Sequence, residues 1–253
     1  MSGHWSEALH PRNPVGRFVD VGDDVEFRPT GEGYDRRFRM IQQARLGRGF
    51  SGVGAEDVTF VDNPRNTYTY EFLTGSKVKR SGLEKIVLDD YAEGSATING
   101  MLRTGASLDG DYVNPDNDRG SPEISTRDYI EVLDGAIAQA ALTDDLTVVR
   151  KYETGAIPDL KPGDQIVDWG YMSTTTDPMH DNVGVFGANT LEISLPAGTP
   201  VALPGRHHHS KSMLAYREVL VGRGAVLQVL EVGEGMNGAH TKLRLVGFVE
   251  DQP

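Results

Sequence analysis

The chain contains no cysteine. That excludes disulfides, thiolate metal ligands and a cysteine nucleophile, and it leaves the redox compartment open. No apolar run approaches the ~20 residues that a membrane helix needs. The opening stretch, Met1 to Phe18, is polar with scattered arginines. It lacks a basic start followed by an apolar segment, so the expectation is a chain with no signal peptide, no transmembrane segment and no membrane partner. Common signatures of nucleotide, metal and hydrolase chemistry are also missing: no Walker-type loop, no GxGxxG after a strand, no HExxH and no GxSxG. The triplet His207-His208-His209 does not replace them. Three adjacent side chains of an extended segment converge poorly on one ion, and no acidic partner lies nearby at ligand spacing. The expectation is no metal, with this loop touching a partner instead.

Basic residues are few, 25 Lys and Arg against 37 Asp and Glu, for a net charge of −12. An acidic chain is a weak general binder of nucleic acid, because phosphate contacts need clustered cations. The charge is unevenly spread. Residues 1–83 carry 12 basic and 11 acidic side chains, whereas residues 84–253 carry 13 and 26. The front part clusters Arg36, Arg37, Arg39, Arg45 and Arg48 and has little sustained periodicity. Asp35 to Leu46 reads as a short basic helix, and Val58–Leu73, with Phe60, Tyr68, Tyr70 and Phe72, reads as one or two strands. Residues 1–80 are therefore expected to form a partly ordered arm, with residues 81–253 as the main domain. The arginine cluster is suited to docking an acidic partner or polymer.

From Ser81 the patterning strengthens. Leu83 to Leu102 has helical spacing at Ile86, Val87, Tyr91, Ile98 and Leu102, interrupted near Gly94. Ser107–Gly120 is an Asp/Asn/Gly loop. Ser121-Pro122-Glu123 reads as a helix start, with a helix running to about Leu142 and Ile130, Leu133, Ile137 and Ala141 on one face. After Asp145 the runs become short and β-like: Leu146–Lys151, Ile166–Met172, Thr190–Leu195, Pro200–Leu203, Glu218–Val221, Ala225–Val232 and Lys242–Val249. Turns such as Lys161-Pro162-Gly163-Asp164 separate them. Helices first and strands second predict an α+β domain with a mostly antiparallel sheet or sandwich.

Four segments of this domain make sense together. An apolar strand from Leu146 ends in Arg150-Lys151. Gly170-Tyr171-Met172 leads into Ser173-Thr174-Thr175. Tyr216-Arg217-Glu218 leads into Val219-Leu220. Upstream, Tyr91, Asn99 and Arg103 share the first helical region. In this order and spacing the set resembles the toxin-like mono-ADP-ribosyltransferases, whose signature strands carry an Arg, a Ser-Thr-Ser motif and a Glu. The resemblance covers roughly Leu83 to Glu250. It implies an ADP-ribosyltransferase-like α+β fold, with N-terminal helices followed by a mostly antiparallel two-sheet β core.

The resemblance also implies roles. Arg150 takes the place of the family's NAD-binding arginine, with Lys151 where Gly often follows. Ser173-Thr174-Thr175 takes the place of Ser-Thr-Ser, and Glu218 that of the catalytic glutamate. Asn99 and Arg103 match helix positions that approach the NAD phosphates, Tyr91 matches an aromatic position nearby, and Phe186 matches an aromatic of the loop near nicotinamide. Two residues before the glutamate the family carries Glu or Gln, which goes with the choice of acceptor. Here that position is Tyr216, so arginine specificity does not carry over. The implied activity is NAD-dependent cleavage of the nicotinamide–ribose bond, with transfer of ADP-ribose to a protein or nucleic acid of a host.

The chemistry suits these residues. Positive charge develops on the ribose as the bond breaks, as in glycoside hydrolysis, and a fixed carboxylate such as Glu218 stabilises it. The Ser173 hydroxyl can hold that carboxylate, and Arg150 with Arg103 suits a pyrophosphate. Tyr216, Lys151 and Thr175, as departures from the pattern, keep open a non-catalytic binding or virion-structural protein on the same fold and an NAD glycohydrolase. Finally, His10-Pro11-Arg12 with Gly16-Arg17-Phe18 resembles a segment of phage-encoded proteins. That implies a phage or bacterial origin and action in a bacterial host's cytoplasm after delivery by a virion or secretion.

Overall fold

The computed structural model describes residues 38–41, 46–49, 73–75, 78–115, 117, 120–152, 157, 159–176, 189–204, 218–235 and 238–249. The helical region comes first. Helix α1 (Gly82–Glu93) starts at a capping box: the Ser81 hydroxyl accepts the Glu84 N–H while the Glu84 carboxylate accepts the Ser81 N–H. It stops at Gly94, and α2 (Ala96–Thr104) follows and ends at Gly105, whose φ of 66° is the left-handed cap that glycine adopts without strain. The break expected near Gly94 is therefore a boundary between two helices.

Helix α3 (Thr126–Ala138) begins four residues later than the Ser121-Pro122-Glu123 signal suggests. Ser125 is the cap, its hydroxyl accepting the Asp128 N–H at 3.1 Å. Residues 121–125 serve the preceding loop instead: Asn114 donates its N–H to the Ser121 hydroxyl, and the Tyr112 N–H donates to the Ile124 carbonyl. The helix also ends before Leu142. Ala140 and Leu142 exchange backbone hydrogen bonds with Gly198, Thr199 and Val201, which removes Ala141 from the helical face. The apolar stripe is otherwise as spaced. Ile130, Leu133 and Ile137 pack with Val87, Leu88, Tyr91, Ile98 and Leu102 from α1 and α2.

The remaining chain is β: β1 (Phe38–Ile41), β2 (Leu46–Gly49), β3 (Leu146–Tyr152), β4 (Gln165–Asp168), β5 (Met172–Thr175), β6 (Asn189–Leu195), β7 (Val201–Ala202), β8 (Glu218–Val221), β9 (Ala225–Glu234) and β10 (Ala239–Val249). These strands hydrogen-bond in the order β1-β4-β9-β10-β6-β3-β5-β8-β7, and β2 pairs the end of β10. Every pairing is antiparallel except β10 with β6. The expected division into two sheets survives as a seam: β3 and β5 meet through one residue pair, Val149 with Thr175. On either side of the seam the ladders are longer.

Two expectations are corrected here. The helix expected over Asp35–Leu46 is absent where the backbone is described: β1 pairs β4, and β2 pairs β10. A short segment gains little from one helical turn, whereas an open sheet edge offers partners for its backbone groups. The run Ile166–Met172 is two strands rather than one. β4 pairs β9 and β5 pairs β8, so the chain passes from one part of the sheet to another across Trp169-Gly170-Tyr171. The expected strands over Val58–Leu73 lie almost wholly outside the described residues, and Leu73 itself is buried in the strand core.

That core contains Val148, Ile166, Met172, Leu191, Ile193, Leu195, Leu227 and Leu243 among others, and Tyr171, Ala202 and Leu220 join the helical cluster. Two substitutions separate burial from exposure. Leu133→Ala, at a fully buried site, is expected to cost about 2–5 kcal/mol through lost contacts and a residual cavity. Ile86→Ala, at a side chain 52% exposed, is expected to change stability by no more than about 0.5 kcal/mol. Urea unfolding of the two variants checks both.

Candidate active site

The crossing between β4 and β5 organises the site. Asp168 ends β4 and is 0% exposed. A buried carboxylate needs charged or hydrogen-bonding partners to offset lost hydration. Arg103, in the last turn of α2, supplies a bidentate pair: Nε donates to Oδ1 at 2.8 Å and Nη2 to Oδ2 at 2.9 Å. Arg150 of β3 places Nη1 3.5 Å from Oδ2, and the Gly170 N–H donates to Oδ1 at 3.0 Å. Two guanidiniums around one carboxylate leave a net positive cluster in an acidic domain. Burial works against the charge on Arg103, but the charge of Asp168 and its hydrogen bonds outweigh it and raise the guanidinium above its ordinary value.

Asn99 lies one turn before Arg103, on the same helical face. Its side chain is used at both ends: Oδ1 accepts the Tyr171 N–H at 2.7 Å, and Nδ2 donates to the Tyr91 hydroxyl at 3.0 Å. Gly170 makes this approach possible. A Cβ built there would lie 2.7 Å from Asn99 Oδ1 and 3.0 Å from the Arg103 guanidinium carbon. The Tyr91 ring is 1% exposed and meets Tyr171 edge-on with centroids 5.8 Å apart. Its hydroxyl is 3.1 Å from Ser173 Oγ.

Ser173 leads to Glu218. Antiparallel pairing sets Thr175 opposite Glu218 and Thr174 opposite Val219. Ser173 shares a face with Thr175, so it lies diagonally across from Glu218. From there its hydroxyl acts on the Glu218 carboxyl as a hydrogen-bonding partner. Thr174 points to the other face, where it is buried and its hydroxyl donates to the Val219 carbonyl at 2.7 Å. Burial raises the Glu218 carboxyl above the ordinary carboxylate value, against the hydrogen bond from Ser173 and the charge of Arg150, which pull it down. Burial and the Glu218 charge likewise raise the Tyr91 hydroxyl, which keeps it protonated.

The structure thus brings Tyr91, Asn99, Arg103, Arg150, Ser173 and Glu218 into one connected region. Phe186, Tyr216 and the His207–His209 triplet lie outside the described residues. Among those described, no group of three His, Cys, Asp or Glu side chains could hold a metal ion. Three residues escaped the sequence reading: Asp168, Gly170 and Tyr171. The signal for Asp168 was an acid in an otherwise apolar run, five residues before Ser173. Nothing in the sequence marked Tyr171, which ties the crossing to α3 through its hydroxyl, donated to Asp134 Oδ1 at 2.7 Å. Asp134 in turn pairs Arg223 at 2.9 Å.

Gly170→Ala tests the close approach. The methyl group must displace Asn99 or Arg103, so the expected result is a stability loss of about 1–3 kcal/mol together with weakened NAD binding. Thermal unfolding and calorimetric titration with NAD check it.

Comparison with known proteins bears on this geometry. No curated protein sequence matches the chain. The fold is similar to Plx2a, an ADP-ribosyltransferase toxin from Paenibacillus larvae, with a TM-score of 0.52 and 16% identity over 66% of this chain and 87% of that one. It is similar to the C3 exoenzyme of Clostridium limosum, with a TM-score of 0.52 and 18% identity over 66% and 86%. It is also similar to C3stau2 from S. aureus, determined with NAD, with a TM-score of 0.50 and 19% identity over 67% and 89%. At such identities these likenesses speak for the fold. The family model for the ADP-ribosyltransferase exoenzyme matches residues 66–248, most of the chain and the whole of the connected region from Tyr91 to Glu218. The chain therefore belongs to the ADP-ribosyltransferase exoenzyme family and is an NAD-dependent ADP-ribosyltransferase.

Proposed function

We propose that the enzyme transfers a single ADP-ribose unit from NAD to a macromolecule of a host cell, with Glu218 as the catalytic residue. The observation that supports it best is the Glu218 carboxylate, hydrogen-bonded by Ser173 and within the field of Arg150, beside a net positive cluster of two arginines and one aspartate. NAD supplies a glycosidic bond whose electron pair leaves with nicotinamide, so positive charge develops on the ribose. Glu218, held by Ser173, presents its negative charge there and stabilises that charge without reorganising. Arg150 and Arg103 fit a pyrophosphate, because their charge exceeds that of Asp168 and their planar guanidiniums suit phosphate oxygens. Asp168 fixes where that charge sits.

Incubation with labelled NAD and host lysate tests the reading. The protein is expected to release nicotinamide and label a macromolecule, and Glu218→Gln to lower the rate by about 10²-fold or more while still binding NAD. Equal rates for Glu218→Gln and the unaltered protein, or neither label nor nicotinamide, would overturn it. Nicotinamide without a labelled macromolecule would reduce the activity to hydrolysis of NAD.

The raised Glu218 carboxyl adds two expectations. The catalytic form is the ionised one, so activity falls as pH drops, with an acidic limb above the ordinary carboxylate range. For stability the sign is the reverse. A carboxyl raised by folding contributes fully below its unfolded value, and that contribution is lost as pH rises through the folded value. At pH 7 the ionised Glu218 therefore costs stability. Glu218→Gln is expected to melt higher, by about 2–4 °C for each kcal/mol recovered, while a melt near pH 4 shows a smaller gap.

A further inference from the structure

We infer that Tyr91 is a positioning residue for the catalytic carboxylate, holding Glu218 through Ser173 as part of a one-way hydrogen-bond chain that starts at Asn99. This rests on the reading of Glu218 given above and extends it to a side chain that does not meet the reacting atoms. Four links carry it. Asn99 is anchored by the backbone, since its Oδ1 accepts the Tyr171 N–H at 2.7 Å. That leaves its Nδ2 to donate to the Tyr91 hydroxyl oxygen at 3.0 Å. The Tyr91 hydroxyl stands 3.1 Å from Ser173 Oγ. Ser173 lies diagonally across the β5–β8 ladder from Glu218, where its hydroxyl acts on the carboxyl as a hydrogen-bonding partner.

The direction of the chain follows from what each group can donate. An ionised carboxylate only accepts, so Ser173 donates to Glu218. The single Ser173 proton is then committed, so across the 3.1 Å contact Tyr91 is the donor; the Tyr171 carbonyl, 3.5 Å away, is the more distant acceptor open to the same proton. The Tyr91 oxygen in turn accepts from the Asn99 amide, whose Nδ2 only donates. Every member thus points its donor toward Glu218. Aligned donors of this kind polarise one another in a buried setting, so the bond that reaches the carboxylate is stronger than an isolated serine would supply.

Burial separates this role from a ligand-contacting one. The Tyr91 ring is 1% exposed, packed within α1 and α2 against Tyr171. It has no open face on which a nicotinamide or adenine could stack, so the aromatic at this position acts from behind the site. Among the described residues, the ionisable groups that act on Glu218 are Arg150 from β3 and Tyr91 from α1. Arg150 sets the field at Glu218 by its charge, and Tyr91 sets it through the serine.

The test is a double-mutant cycle with Tyr91→Phe and Ser173→Ala, which keeps the ring in place and removes only the hydroxyl. Thermal unfolding first confirms that Tyr91→Phe is folded; Tyr91→Met serves as the second variant if it is not. Nicotinamide release is measured against pH. The expected result for Tyr91→Phe is a roughly 10-fold lower kcat, a KM for NAD within about twofold, and an acidic limb moved to higher pH. In the Ser173→Ala background Tyr91→Phe is expected to add nothing, because its path to Glu218 is already cut. An unchanged kcat and pH profile, a raised KM at constant kcat, or an undiminished effect in the Ser173→Ala background would overturn the inference. A readout that needs no turnover keeps it separate from the activity itself: titration of the Glu218 carboxyl carbon by NMR in the ligand-free protein. An upward shift in Tyr91→Phe supports the chain even if NAD is not consumed, and no shift refutes it even if NAD is.

Discussion

A single buried carboxylate governs the arrangement of this molecule. Asp168 has no access to solvent, yet it collects a bidentate Arg103, a nearby Arg150 and the Gly170 N–H. Breaking such a cluster from one side leaves an uncompensated charge in the interior, a loss of about 3–5 kcal/mol. The consequence reaches well beyond the pair. Arg103 fixes the end of α2 against the crossing, Arg150 fixes β3, and the Gly170 contact lets Asn99 enter. With α2 seated, the Tyr91 hydroxyl lies within reach of Ser173. The acid that the chemistry does not touch is the one that sets the positions of those it does.

The two carboxylates of the site live in opposite regimes. Asp168 is surrounded by cations. Glu218 is held near one cation and one hydroxyl, with burial still the larger influence on it. On the role proposed for Glu218, this balance matters, since a fully neutralised acid would have little charge left to offer a developing positive centre.

Much of this was legible in the sequence. Arg150, Ser173 and Glu218 do lie on three strands, with Asn99 and Arg103 on a helix ahead of them, whereas Thr174, expected to meet the cofactor, turns to the opposite face and bonds the Val219 carbonyl. On the helices Val87, Tyr91, Ile130, Leu133 and Ile137 are buried as their spacing suggests, whereas Ile86 is exposed and Ala141 lies beyond the end of α3. The failures have physical causes. Ser121-Pro122-Glu123 has the local chemistry of a helix start, but its groups bond the preceding loop, and Ser125 makes a better cap. Ile166–Met172 is one apolar run, and its division depends on which neighbours β4 and β5 find far along the chain. The segment around Phe38 became strand because a sheet edge was available, which no local propensity encodes. Asp168 carried only the signal of an acid in an apolar run, because its meaning is tertiary: it comes from Arg103, 65 positions before it in α2, and from Arg150 in β3.

The strand order has one further consequence, and it concerns time. β10 is the last strand in chain order, yet it lies between β9 and β6 and also receives β2. Without it, β4 and β9 on one flank share no ladder with β6, β3, β5 and β8 on the other. Asp168 belongs to the first flank, and Arg150, Ser173 and Glu218 to the second. The ladders of the two flanks are united through contacts between segments far apart along the chain, which form slowly because long loops must close first. During synthesis, the ribosome has already delivered every site residue before the strand that unites the two flanks emerges. Among the described strands, the one latest in chain order is thus the one that makes a single sheet of the two flanks.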